Sequence, residues 1–406
     1  MYLCIGGARA GIYTSALQMT VVFATLFIIV IISYVQWGFL DIYETSKQGM
    51  RLKLNDFRLD PRVRHGFFPL IIGGCFNMFA LYASNQATMQ RYLSMPNLKQ
   101  AQKVLLLNFP LNIFMITMYV ILGMVMYYSF VGCHPSLLSK DQLLPYFLET
   151  KLGWITGLEG IFLAAIYSSG LGVLTASYNA LTAVTLEDLI KNVLRTKSGK
   201  QKFLTKSFYS KTITYLPLFF ALLTASLAVA IKYLETMILQ VAFSIFGSAG
   251  GIIFGVFCVG LFCPWIKSSF AVICGEVAAL ISCIVLVSGT FIFYIQPKNL
   301  PLESTCLSNT SILYEWSDQY NRVEANSNSI WSNYSQISYQ YYAFVGVIIN
   351  LVVANVMQLF INLLGHKNDN NVDPKLICHF MRPYLCSSFE ENVKQHVEMP
   401  LIENNS

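Results

Sequence analysis

Gly73-Gly74-Cys75-Phe76-Asn77-Met78-Phe79-Ala80-Leu81-Tyr82-Ala83-Ser84-Asn85-Gln86 closes an apolar run that starts at residue 66. At 1.5 Å per residue a run of this length reaches across about 30 Å of hydrocarbon. The paired glycines weaken a helix there, and uncharged polar groups gather near its end. Two readings stay open. Unwound backbone at membrane depth is tolerated where it lines protein or a water-filled cavity, and broken helices of this kind hold ions and solutes in transporters. Close helix packing through small residues needs no cavity.

The same apolar character recurs along the chain, at 14–38, 66–86, 104–130, 157–184, 212–232, 237–263, 269–294 and 340–364. This predicts an all-α membrane protein with about eight transmembrane helices. Composition agrees. Of 406 residues, 55% are apolar and 12% charged, and mean hydropathy is +0.53. A soluble domain carries about 25% charged residues, so a water-soluble multidomain enzyme is excluded. The net charge of +6 comes from cations in loops between apolar runs, which form no nucleic-acid-binding face. No histidine lies within a span, so a zinc or Ser/His membrane protease lacks its central residue type. The ten cysteines show no C-x-x-C spacing, and those inside apolar runs, such as Cys75, Cys258, Cys274 and Cys283, read as small hydrophobes. No metal site and no cofactor is expected, and the chain does not read as an enzyme.

Topology follows from charge and sequons. With residues 1–13 inside, 16 of the 27 Lys and Arg residues fall on the inner side, as the positive-inside tendency requires. Loop 39–65 runs against it, with six cations outside. The sequons at Asn309 and Asn333 both fall in loop 295–339, which this topology makes extracellular. Segments 1–13 and 365–406 are then cytoplasmic, around a transmembrane domain at 14–364. Cys133 and Cys306 are the cysteines of the outer loops, where oxidation is permitted, and a disulfide between them is an expectation. Gly6-Gly7 stands almost at the first residue, just before a long apolar run, and reads as a beginning in mid-protein.

Three spans carry further signals. Residues 167–179 of span four, Tyr-Ser-Ser-Gly-Leu-Gly-Val-Leu-Thr-Ala-Ser-Tyr-Asn, are crowded with hydroxyls, which either form a site or bond back to their own helix. Gly247, Gly251 and Gly255 in span six recur every fourth residue and predict a close-packing face. Glu276, two turns into span seven, is the clearest intramembrane charge. It either closes a gate or faces another helix or an inner vestibule.

The motifs resemble those of the solute:sodium symporters, in the branch that moves iodide, monocarboxylates and water-soluble vitamins. Gly6-Gly7-Ala8-Arg9-Ala10 with Tyr13-Thr14 and Gln18 is similar to that branch's G-G-x-K-A-V-V-W-T-D-V-F-Q. Asn85-Gln86 with Gln90-Arg91-Tyr92 matches N-Q-x-x-x-Q-R-Y, and Val184 to Lys191 matches V-T-V-E-D-L-I-K. Gly251, Gly255, Phe257, Gly260, Phe262 and Pro264 follow its glycine-phenylalanine pattern. The two outer cysteines also fit.

The resemblance implies a leucine-transporter-like fold of two inverted five-helix repeats. In that frame the first span is the last helix of repeat one, spans two to six are repeat two, and spans seven and eight are additional. The first core helices are then lacking, and with them half of the family's sodium site. The other half departs from the family pattern. The hydroxyl pair that binds sodium falls at Gly172-Val173, and neither has a side-chain oxygen for a hard cation. The Ser169 carbonyl remains in place. Ser168 or Thr175 would serve only after a shift of helical register. The substrate lining implied by the family falls at Met78, Leu81, Tyr82, Asn85 and Gln86. Met78 disfavours a sugar, and amide donors with a half-helix end suit a small organic or halide anion.

The expected function is secondary active transport of such an anion, or a vitamin, at the plasma membrane by alternating access. Sodium is the candidate coupling ion, and the lipid bilayer is the surrounding solvent. The alternative is a homologue that does not transport or does not use sodium: a facilitator, a short form, or a subunit assembling with a full-length relative.

Overall fold

The computed structural model describes residues 2–52, 56–131, 135, 137, 140–190, 206–231, 238–293, 296–297, 323–324, 329–365, 377–378 and 380–381. The regular secondary structure of the described residues is helical apart from a two-residue antiparallel pairing of Gln296–Pro297 with Val323–Glu324. Asn309, Cys133, Cys306 and most of loop 295–339 and of segment 365–406 lie outside the described residues.

Among the described residues, seven helices are long and apolar enough to cross a membrane: Tyr13–Trp37, Leu98–Ser129, Leu158–Asp188, Lys211–Val229, Ile238–Phe262, Ser269–Thr290 and Tyr339–Leu363. They coincide with seven of the eight runs read from the sequence. The eighth run, at 66–86, yields a shorter apolar segment, Pro69–Ser84. The reason is local. Its backbone is a π-turn at Pro69–Gly73, an α-helical piece at Gly74–Phe79 and a second π-turn at Ala80–Ser84, and Asn85 then turns extended at φ −75°, ψ 122°.

The chain forms two compact units, described in turn. The first comprises Met1–Lys53, Gln86–Ile238 and Leu300–Ser317. Its helices are α1 (Tyr2–Trp37), α2 (Phe39–Gln48), α4 (Gln86–Leu93), α5 (Leu98–Ser129), α6 (Leu143–Lys151), α7 (Leu158–Val184) and α8 (Lys206–Ile231). Gly38, at φ +78°, lets the backbone leave α1 and re-enter a helix after a single residue, a conformation open chiefly to glycine. Gly157, at φ +91°, is the residue that leads into α7, six residues after α6 ends. The core gathers where these turns bring helices together: Ile29 of α1, Ile42 of α2, Val125 of α5, Phe147 and Leu148 of α6 and Phe162 of α7 are all buried. Trp37 closes it, its ring 5.9 Å from that of Phe147 and 6.3 Å from Tyr128.

The second unit comprises Leu54–Asn85, Leu239–Asn299 and Asp318–Ser406. It contains the broken segment with α3 (Gly74–Phe79), then α9 (Ile238–Phe262), α10 (Ser269–Ile292), α11 (Ile330–Ser335) and α12 (Tyr342–Leu363). Small residues decide its packing. A Cβ on Gly251 of α9 would run into the Ala343 backbone, and one on Gly255 would lie 3.0 Å from Asn350 Cβ. Gly247, Gly251 and Gly255 are all buried, so the four-residue stripe is the close-packing face its spacing predicts. On α10, Ala271, Ala279 and Cys283 are buried and turn toward α12. Ahead of α3, Arg64 is buried, donates to Gln240 Oε1 at 2.9 Å and lies 5.6 Å from the centroid of the Tyr339 ring. Burial pulls its guanidinium below the ordinary value.

Candidate functional site

The broken segment is organised by Asn77. Wide turns on either side free backbone carbonyls from regular α-helical pairing, and Asn77 supplies a donor where they open. Its amide nitrogen donates to the Gly73 carbonyl at 3.0 Å and to the Gln340 carbonyl at 3.0 Å. The side chain is buried, and its Oδ1 has no hydrogen-bond partner. Gly247 makes room for that oxygen, since a Cβ there would stand 3.0 Å from it. The two readings of the glycine pair separate here. Gly73 packs directly on the Gln340 backbone, whereas Gly74 has nothing within 4 Å of where a Cβ would be. One glycine serves close packing and the other faces open space.

The family-implied lining follows this node along the chain. Met78 is exposed, and Leu81, Tyr82 and Asn85 are half-buried. All four belong to the second unit, while Gln86, exposed, opens α4 in the first. Residues that the sequence reading passed over lie on α12. Gly346, Asn350, Ala354 and Gln358 recur every fourth residue and are all buried. Asn350 donates to the Ile252 carbonyl at 3.3 Å, while its Oδ1 is unpartnered. Gln358 Oε1 accepts from the backbone N–H groups of Lys267 and Ser268, at 3.2 and 3.0 Å, just before α10 begins. Two amides eight residues apart, on a four-residue stripe inside an apolar run, are the signal that was available.

The other set of predicted residues is on α7. Gly172 leaves a gap that α1 fills: a Cβ there would be 2.6 Å from Gln18 Oε1 and 3.5 Å from Ser15 Oγ. Gln18 Oε1 is buried and has no hydrogen-bond partner. Val173 points elsewhere and is 64% exposed. Thr175 spends its hydroxyl proton on the Leu171 carbonyl of its own helix, at 2.6 Å. Ser169 borders a recess of about 250 Å³ between α1, α5, α6 and α7, shared with Thr25 and Tyr119. Further along, Tyr178 and the α8 residue Thr224 pair through their hydroxyls at 2.5 Å. The hydroxyl-rich stretch therefore splits its roles between a recess, a back-bond and an interhelical bond. The oxygens near Gly172 come from α1, not from an α7 hydroxyl pair. Among the described residues no group of three or more His, Cys, Asp or Glu is placed to hold a metal ion.

Of the sequons, Asn333 is in α11 with its side chain exposed, while Ser335 is buried and bonded to the Trp331 carbonyl.

Helix lengths, apolar surfaces and buried amides together define a multi-pass, all-helical membrane protein. A model of the sodium:solute symporter family matches residues 1–290. The chain belongs to that family. It is 33% identical to sodium-coupled monocarboxylate transporter 2 of Danio rerio over 93% of this chain and 59% of the relative. It is 30% identical to sodium-coupled monocarboxylate transporter 2 of Mus musculus (93% and 60%) and 29% identical to sodium-coupled monocarboxylate transporter 1 of Homo sapiens (93% and 62%). The chain thus spans about three-fifths of the length of the relatives it matches.

Proposed function

We propose that the protein works as a secondary transporter of small organic anions of the monocarboxylate or vitamin class, with sodium as the candidate coupling ion. Met78, Leu81, Tyr82, Asn85 and Gln86 would line the solute path, which opens to one side of the membrane at a time. The observation that carries this reading is the interrupted segment Pro69–Asn85, with its π-turns and buried amide, in a chain of this family. Backbone of that kind is tolerated at membrane depth beside protein or water. We place the protein in the plasma membrane with residues 1–13 and 365–406 on the cytoplasmic side, a glycan on Asn333, a second on Asn309 and a Cys133–Cys306 bridge outside. The test is uptake of a radiolabelled monocarboxylate by vesicles containing the full chain, in sodium and in choline. Uptake in sodium that falls in Tyr82→Ala supports the reading; equal counts in protein-free vesicles reject it.

Gly172 and Val173 favour a second reading, in which the protein moves solute without sodium or only assembles with a longer relative. Oxygen ligands suit hard cations, and these two positions supply none from their side chains. Uptake that is unchanged in choline and follows membrane potential supports the facilitator form. Absence of uptake, together with co-purification with a longer relative, supports the subunit form.

A further inference from the structure

Helix α10 has two unlike faces. One holds Ala271, Gly275, Ala279 and Cys283, all buried, and it is seated on α12: a Cβ on Gly275 would lie 2.8 Å from the Asn350 carbonyl oxygen. The other holds Ile273, Glu276, Val277, Leu280 and Ile284, all exposed. Glu276 is therefore in the middle of an apolar stripe, turned away from the core of its own unit.

Its depth makes this costly. Seven residues past Ser269, it stands about 10 Å along the helix at 1.5 Å per residue. The apolar part of α10, Ser269–Thr290, is itself long enough to cross a membrane. Among the described residues of the seven spans, Glu276 is the one charged side chain more than five residues from either end of its span. Among the described residues no hydrogen bond or ion pair reaches it. Ionisable groups at such depth are expensive in hydrocarbon, and they persist by pairing or by facing water.

We propose that the exposed face of α10 is a helix-docking surface and that Glu276 pairs there with a Lys or Arg side chain in a membrane-spanning helix of another protein. Charge decides the kind of partner. The deepest cation in the described spans of a second copy is Lys103, five residues from the end of its span against seven for Glu276, and a symmetric contact of α10 with α10 would set carboxylate against carboxylate. Ile273 and Leu280, one turn to either side, form the ridge that a neighbouring helix would pack against. They would shield the ion pair from headgroups and water, the arrangement in which a central contact carries most of an interface.

The test uses the full chain labelled with a donor dye in phosphatidylcholine vesicles. The probe is an acceptor-labelled single-span Leu/Ala peptide with a Lys a third of the way in from each end, so either orientation presents one. A peptide with Leu at those positions is the control. The Lys peptide is expected to associate about tenfold more tightly than the control, a factor equivalent to 1.4 kcal/mol. Glu276→Gln should abolish that preference, and Glu276→Lys should transfer it to a peptide carrying Glu. Equal association of the Lys and Leu peptides with the unaltered chain overturns the proposal, as does an unchanged preference in Glu276→Gln. Energy transfer between two labelled copies that disappears in Glu276→Gln also overturns it, assigning the face to self-association.

Discussion

Asn77 shows how much one side chain can hold in an interrupted helix. Its two donated bonds satisfy carbonyls from two parts of the second unit, Gly73 and Gln340, and its burial removes water as a substitute. Asn77→Ala removes the side-chain donor from both carbonyls. Unmet buried groups cost about 1–3 kcal/mol, so the thermal midpoint in detergent should drop markedly, and Asn77→Asp, which loses the donors and adds a charge, should drop it further. Gly172 calls for the opposite experiment. A serine there is crowded only by the end of the flexible Gln18 side chain, with Ser15 Oγ at ordinary contact distance, and the Gln18 amide can rotate aside. Gly172→Ser with Val173→Ser is therefore expected to fold normally and, in the uptake assay, to raise the sodium-to-choline ratio. An unchanged ratio would show that a hydroxyl pair is not what the site lacks. Asn77 was visible in the quoted stretch but not its importance, because nothing in the local sequence brings Gln340 to it.

Elements repeat the lesson with glycine. Gly73 and Gly74 are neighbours and have the same intrinsic effect on a helix, yet their surroundings differ completely. Gly73→Ala forces a methyl group into the Gln340 backbone and should destabilise by about 1–3 kcal/mol, as overpacking does. Gly74→Ala meets nothing and should gain up to about 1 kcal/mol from helix propensity. On α9 the same contrast holds between Gly251, pressed against Ala343, and Gly260, in open space. Comparing the detergent melting midpoints of the four variants checks both pairs at once. Periodicity made the α9 stripe legible, since three glycines at four-residue spacing can only share a face. The partner face, Gly346-Asn350-Ala354-Gln358, was equally regular, but its amides were submerged in a hydropathy pattern that registers only their apolar neighbours.

At the scale of the molecule, solvent preference was the most legible property. Seven spans fall where hydropathy put them, because length and apolarity are additive along the chain and need no knowledge of neighbours. The chain is expected to stay in the membrane pellet after alkaline carbonate extraction. Recovery in the supernatant would contradict the fold. The proposed topology makes Asn333 a glycan acceptor, so Asn333→Gln should lose a glycosidase-sensitive band on gels of the protein from animal cells. A band unchanged by the substitution would argue against an external α11. Hidden from the sequence was any relation that depends on packing over distance, such as Gln18 entering the space beside Gly172.

The wide turns of Pro69–Ser84 bear on how this chain can be compared with others. A π-turn is an α-turn with one residue added. A relative one residue shorter between Ala80 and Ser84 would tighten that turn and keep the flanking backbone where it is. Numbering beyond the gap would slip by one although no atom downstream had moved. Equivalence at Tyr82 and Asn85 is therefore to be judged by superposition, and an ungapped alignment through this stretch can pair side chains that point a third of a turn apart.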